Sequence, residues 1–517
     1  MQQSTNGWQI LFRPTWIYSL VVVRIAFGAV MVWEVTRYFR YGWIARYWIE
    51  PAYNFSYPLF GWLKPWPGDG MYWHFYLLAV LALFIALGLF YRLNVVLFFL
   101  AFSYTFLLEE ARYLNHFYLI SIFSFILIFV PAHRWLSLDA LIWPRIRSST
   151  VPTWALWLVG AQIGIPYFFG GVAKLNGDWL RGAPMDLWLG NRTSFPVIGR
   201  FFTEDWAVYF FSYGGLLLDL LIVPALLWRK TRALGFTTIV LFHLLNAKLF
   251  VIGIFPWMMI ILTTIFFPPD WPRQLLQDLK EKPRWQTIIL ALGGLCGASV
   301  SPWSNGGVEL IPLLSGALAG VLIPWLWLGR PAAAEALPAP ARETPWRWKP
   351  VHRLTAALLT AWLVIHVTVP LRHYAIPGNV SWTEQGHRFS WHMKLRHKDG
   401  AVRFVAFDPQ STRAWEVDPG ATLTPWQHKK MAVTPYMILQ FAKYLEEQFK
   451  SEGFEQIKIH VQAVATLNGR PPQLLVDPQA DLTEQTLSLR PQPWIVSLAE
   501  PLPPQPYLAG ESTSEPE

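Results

Sequence analysis

TWALWLVGAQIGIPYFFGGVAKLNGDW, residues 153–179, runs for twenty-one positions without a charged side chain and then meets Lys174. A helix of that length rises about 30 Å, the thickness of a bilayer's hydrocarbon core. The stretch therefore reads as a membrane span. The lysine at its end is a charge that needs either the membrane boundary or a partner. The Asn-Gly-Asp that follows is turn chemistry, so the span stops there.

The rest of the chain repeats this pattern. Apolar residues make up 53% of the 517 and charged residues 15%, against about a quarter charged in soluble domains. Thirty tryptophans and 19 tyrosines suit a protein with two membrane interfaces. Apolar segments long enough to span fall at about 17–36, 75–91, 94–109, 114–131, 153–173, 208–228, 233–249, 250–267, 286–302, 308–328 and 354–371. Beyond them, IKIHV (457–461) alternates like a strand, and PYMILQFAKYLEEQF (435–449) carries apolar residues every three to four positions.

The predicted fold class is an all-α multi-pass membrane helical bundle of about 9–11 transmembrane helices, with a C-terminal extracytoplasmic domain that is mixed α/β or β-rich. Its predicted parts are a membrane domain over 1–329, a Pro/Ala-rich linker over 330–353, a last span over 354–371, the extracytoplasmic domain over 372–500 and a disordered tail over 501–517.

Net charge is +9, but Lys and Arg gather in short connections between spans and form no basic stripe, which argues against nucleic acid. Their bias toward one set of connections predicts a cytoplasmic N-terminus and a C-terminal domain outside. The one cysteine, Cys296, allows no internal disulfide and no thiolate metal site, and no metal is expected.

Once each span has a direction, its polar residues form a pattern. Asn115 and His116 in RYLNHFYLI, Lys174, and His243 with Asn246 in FHLLNAKLF all fall toward the outer face. A lysine amine desolvated among such groups sheds its proton more easily and can serve as a general base, while a histidine can assist a developing oxyanion. The plainer readings are a lysine reaching the headgroups and a histidine–asparagine pair bonding a neighbouring helix. Arg24 and Asp219, deeper in their spans, are expected to form a structural ion pair. Asp178 is expected to cap or turn the backbone.

YFFGGVAKLNGDWLRG, GGLLLDL and FHLLNAKLFVIGIFPWMM, with RYLNHFYL and RWLSLDAL upstream and RHYAIPGNVSWTEQGHRFSWHMKL and LLVDPQADL downstream, resemble the vitamin K-dependent gamma-carboxylase family of the broader HTTM membrane group. The resemblance covers nearly the whole chain. It implies an enzyme that couples oxidation of vitamin K hydroquinone or menaquinol by dioxygen to carboxylation of protein glutamate with carbon dioxide. On that resemblance Lys174 is the base, and His116 and Asn115 are its catalytic companions. His243, Asn246, Gly170 and Gly171 adjoin the quinone, and Phe389, Ser390, Trp391, His392 and Met393 meet a Glu-containing peptide or protein substrate.

The absent disulfide, the apparently additional hairpin at 286–328, the shorter C-terminal domain and the retained first span imply a prokaryotic member in an inner membrane. The alternatives are a quinol epoxidase or oxygenase that does not carboxylate, and a non-enzymatic membrane protein that binds or transports quinone.

Overall fold

The computed structural model describes residues 7–250, 252–281, 284–300, 309–329, 348–486, 488 and 490–502. The tail from 503 and most of the expected linker lie outside the described residues. Each predicted span contains a helix among the described residues. In chain order these are α1 (Tyr18–Arg40), α2 (Gly70–Leu87), α3 (Tyr91–Leu107), α4 (Asn115–Phe129), α5 (Thr153–Lys174), α6 (Asp205–Leu227), α7 (Arg232–Leu249), α8 (Phe255–Leu262), α9 (Arg284–Val300), α10 (Leu310–Gly329) and α11 (Pro350–Leu371). Six of them, α1, α2, α5, α6, α10 and α11, are long and apolar enough to cross a membrane. Helices α3, α4, α8 with its continuation to Phe266, and α9 are apolar but shorter.

Burial separates the bundle's centre from its rim. In the most apolar part of α5, 78% of residues are buried inside the protein, against 11% in α11, so α5 is central and α11 presents its side chains to lipid. Helix α1 closes on α2 because position 28 is glycine. A Cβ there would stand 2.5 Å from the Ala82 carbonyl oxygen. On one face of the bundle a short antiparallel ribbon joins Pro14–Trp16 to Thr150–Pro152.

The C-terminal domain is a four-stranded antiparallel sheet of β1 (Gly400–Asp408), β2 (Arg413–Val417), β3 (Lys458–Ala465) and β4 (Gln473–Leu474), in the order β2-β1-β3-β4. Alternation in the sequence becomes alternation in burial: Ile459, Val461, Ala463 and Ala465 of β3 are all buried. Helices α12 (Pro425–Ala432) and α13 (Pro435–Ser451) accompany the sheet, and α13 contributes Met437, Ile438, Phe441, Ala442 and Leu445 to the same core. That core also takes in Phe55 and Ala111 from connections of the membrane bundle. The two parts therefore share apolar packing.

Polar contacts fix how they meet. Glu109 accepts from the Gln427 side chain at 2.8 Å, and Glu110 accepts from the Gln440 side chain at 2.8 Å. Arg470 grips Asp178 through two nitrogens, at 2.6 and 2.7 Å, and the Asn468 amide adds a third bond at 2.9 Å. The expectation that Asp178 caps the chain is corrected here. Asn176 does the capping, accepting from the backbone N–H of Asp178 and Trp179, which frees the Asp178 carboxylate for Arg470. Connections following α1, α3 and α5 thus all meet the C-terminal domain on one face of the bundle, as alternating span directions require.

A buried, bidentate pair leaves an uncompensated charge when one partner is removed, at a cost of about 3–5 kcal/mol. Arg470→Met is expected to lower the unfolding temperature and to open the C-terminal domain to limited proteolysis, with Asp178→Asn, Arg470→Met restoring part of the loss. A wild-type proteolysis pattern in Arg470→Met would remove this pair from the docking.

Candidate functional site

Lys174 is the last residue of α5, where a positive side chain also meets the negative end of the helix dipole. Its side chain turns inward. It donates to the Asp219 carboxylate of α6 at 2.6 Å and to the Gly170 carbonyl at 3.2 Å, and its ammonium lies 5.3 Å from the centre of the Trp179 ring. Lys174 is 6% exposed and Asp219 4%. The expected Arg24–Asp219 pair is therefore corrected. Asp219 is taken by Lys174, and Arg24 instead donates to the Leu136 carbonyl at the opposite end of the bundle. Both residues are on apolar helices, and sequence position alone does not say which faces which.

A cavity of about 330 Å³ opens beside the pair, bordered by Tyr167 and Lys174 of α5, Asp219 of α6, His243 and Asn246 of α7, and Met393. Most of the remaining wall is aromatic or aliphatic. The Tyr167 hydroxyl and His243 Nε2 are 2.7 Å apart, and the buried His243 Nδ1 has no partner among the described residues. A second cavity, about 580 Å³, follows α5 and α6 on their other side past Leu156, Gly160, Gly164, Phe168 and Val223. Asp219 borders both. The first has a polar end suited to an aromatic alcohol, and the second is a hydrocarbon slot.

The structure brings some of the predicted residues to this cavity and diverts others. Lys174, His243, Asn246 and Met393 line it. Asn115 does not; its amide donates to the His392 carbonyl at 3.1 Å and its oxygen receives the Tyr113 hydroxyl at 3.0 Å. His116 does not border it either; its ring lies edge-on to Phe117. Gly170 and Gly171, expected to adjoin the quinone, are taken up by helix packing. A Cβ at Gly171 would stand 2.7 Å from the Leu220 side chain, and one at Gly170 3.0 Å from Asp219.

The segment Phe389–Met393 divides similarly. Phe389 and Trp391 adopt left-handed φ of 63° and 59°, uncommon for bulky residues and maintained only where packing over-determines them. Here the Phe389 ring lies 4.9 Å from Tyr118 and 5.3 Å from Tyr113, and its N–H donates to the Tyr113 hydroxyl at 2.8 Å. Trp391 is 5.0 Å from Tyr118. Ser390 accepts from Arg372 and donates to the Gly386 carbonyl. Arg388 pairs with Glu110. Only His392 and Met393 are left facing open space.

His392 borders a third, polar cavity of about 300 Å³ between Asn176–Asp178, His373, Asn379 and Asn468. Its imidazole is buried, neither ring nitrogen has a partner among the described residues, and its pKa is held down to about 3 by burial, then by His373, Arg372 and Lys174. It is therefore a neutral ring. Sequence reasoning missed Asp219 as the partner of Lys174, Tyr167, His373 and the Glu109–Glu110 pair; GGLLLDL, which places an acid inside a span, was the one available signal for Asp219.

Two family models match the chain. One, described as HTTM domain, matches residues 12–271. The other, described as vitamin K-dependent gamma-carboxylase, lumenal domain, matches residues 351–501. Helices α9 and α10 fall between the two matches. No solved structure matches the chain.

Glu109 gives the docking a pH dependence. Burial raises its pKa to about 8, against the hydrogen bonds from Ala111, Asn54 and Gln427 that favour the carboxylate. Because the folded pKa lies above the ordinary 4.5, the contribution is complete below about pH 4.5 and is lost as pH rises through 8. The unfolding temperature is expected to fall between about pH 5 and pH 8, and Glu109→Gln to flatten that slope. An unchanged slope in the variant would assign the dependence elsewhere.

Proposed function

Because the chain belongs to the HTTM-containing vitamin K-dependent gamma-carboxylase family, we propose that it is an integral-membrane quinol-dependent carboxylase of protein glutamate. The observation that carries this reading is the Lys174–Asp219 pair at the polar end of an apolar cavity. When bound, the reduced quinone supplies the acidic hydroxyl and, with dioxygen, the base strength that removes a γ-hydrogen from glutamate for carbon dioxide to add, and it leaves as the epoxide. The donor set fits a vitamin K-type hydroquinone or menaquinol: an aromatic-walled chamber for the ring, polar groups at one end and the neighbouring slot for an isoprenoid tail.

The residues do the rest. In the basic form a neutral Lys174 amine stands beside the Asp219 carboxylate, and taking the quinol proton completes an ion pair where a lone charge would be costly. The Tyr167–His243 bond fixes both side chains, leaving His243 Nδ1 and the Asn246 amide to orient the second oxygen of the ring. Asn115 acts at one remove, holding the His392 carbonyl and with it the segment that ends in Met393. The bias of lysine and arginine supports an orientation with the C-terminal domain outside the cytoplasm.

A second reading has one observation in its favour. Phe389 and Trp391 are committed to packing, so fewer groups remain for a peptide than the resemblance implies, as in a quinol epoxidase that does not carboxylate. Product analysis separates the two. Purified protein given reduced vitamin K and a Glu-containing peptide is expected to fix labelled bicarbonate, and Lys174→Ala to lower the rate by about 10²–10⁴-fold. Epoxide without labelled peptide supports the second reading; normal incorporation by Lys174→Ala removes the lysine from the base role.

A further inference from the structure

A buried base that works repeatedly must lose its proton after each cycle. Lys174 is 6% exposed and enclosed by Asp219, Trp179 and the Gly170 carbonyl, so bulk water does not reach it directly. His392, one residue before the chamber-lining Met393 and itself on the polar cavity, leads away from it. Lys174 is one of the charges acting on this imidazole, and the residue after it, Met393, lies 3.1 Å from where a Cβ on Gly170 would stand. His392 thus sits between the quinone chamber, which its neighbour lines, and the polar cavity, which it lines itself.

Two rings adjoin it. His387, with ring centres 5.0 Å apart, leads toward half-buried Glu384, 3.9 Å from its Nδ1. His373, at 4.7 Å, is half-buried and borders the polar cavity. The Nδ1 of His373 is 2.8 Å from the Pro370 carbonyl. A carbonyl only accepts, so Nδ1 carries the hydrogen and Nε2 presents a lone pair. The groups facing His392 are Lys174 from α5, Arg372 and His373 from the end of α11, and His387 from its own segment. All are cationic or become so on protonation, and none offers it a counter-ion. Such a ring does not store a proton. It receives one on one nitrogen as it releases another from the second.

We propose that His392, handing on to His373, is the relay through which the proton taken up at Lys174–Asp219 leaves for the polar cavity and solvent. This rests on Lys174 acting as the base. The proton balance closes: the quinol hydroxyl gives one to the Lys174 amine, the ammonium passes it to His392, His392 releases one to His373 Nε2, directly or through water in the polar cavity, and the imidazolium of His373 loses its Nδ1 or Nε2 proton to solvent. Lys174 is again a neutral amine.

The test separates the first turnover from later ones in the full-length purified protein. In His392→Phe the first turnover of epoxide, read by rapid quench from enzyme prepared at high pH, is expected to match wild type. The steady-state rate is expected to fall about 100-fold with KM for quinol and peptide unchanged, and added imidazole to restore it in proportion to its concentration. Lys174→Ala is expected to lose both phases, which imidazole does not rescue. A wild-type steady-state rate in His392→Phe overturns the relay while leaving the base in place. A raised KM for peptide, with both phases slowed and no imidazole rescue, also overturns it and makes His392 a substrate contact. If His392→Phe does not accumulate, His373→Gln reads the same two phases from the outer half of the path. Wild-type protein that turns over no quinol overturns the function and the relay together.

Discussion

Lys174 and Asp219 lie in a part of the molecule where either charge alone is costly. Their contact, 2.6 Å and almost fully buried, allows two helices that are otherwise apolar to carry ionisable groups. It also sets the spacing of α5 and α6. A Cβ at Gly171 would strike Leu220, and one at Gly170 would reach Asp219, so the glycines preceding the lysine let α6 come near enough for the pair to form. With the pair in place, the two helices border a chamber and a slot, both touching Asp219. The site is a consequence of solving a burial problem.

Above this pair the C-terminal domain is attached by polar groups drawn from separate connections of the bundle. Glu109 and Glu110 follow α3, Asn115 begins α4, and Asp178 follows α5 by four residues. Each reaches a different part of the domain: Gln427, Arg388 with Gln440, the His392 carbonyl, and Arg470 with Asn468. Buried groups of this kind contribute little net stability once desolvation is counted, but they penalise every misaligned docking. The result is that Phe389–Met393 is placed against α4 and α5 with little freedom. Its two left-handed aromatics are the local cost of that placement.

How much of this the sequence displayed depends on the range of the physics involved. Span existence is a local property, since hydropathy over about twenty residues decides it, and each of the eleven segments proved helical. The strand-like IKIHV and the amphipathic helix after Pro435 were equally local. Pairing across helices was not. Asp219 and Arg24 both looked like acids and bases in need of partners, but the choice between Arg24 and Lys174 depends on helix rotation and on which ends share a depth in the membrane. His116 and Asn115, adjacent in sequence, have different neighbours for the same reason. The FSWHM stretch could be recognised but not oriented, because the placement of its side chains depends on left-handed φ values at Phe389 and Trp391 that L-residues seldom adopt.

Asp178 shows how one turn ties these levels together. The Asn-Gly-Asp that ends α5 could have used its aspartate for capping, a usual role of that residue in a turn. Asn176 caps instead, and the aspartate beyond it is released to bind Arg470. The turn that terminates α5 at Lys174 therefore also fixes, four residues later, the domain that brings His392 and Met393 over that lysine. Moving Lys174 by a single position along the helix would rotate it about 100° away from Asp219, while the turn behind it would carry Asp178 out of line with Arg470. A short connection holds both ends of the site in register because it is too short to let one move without the other.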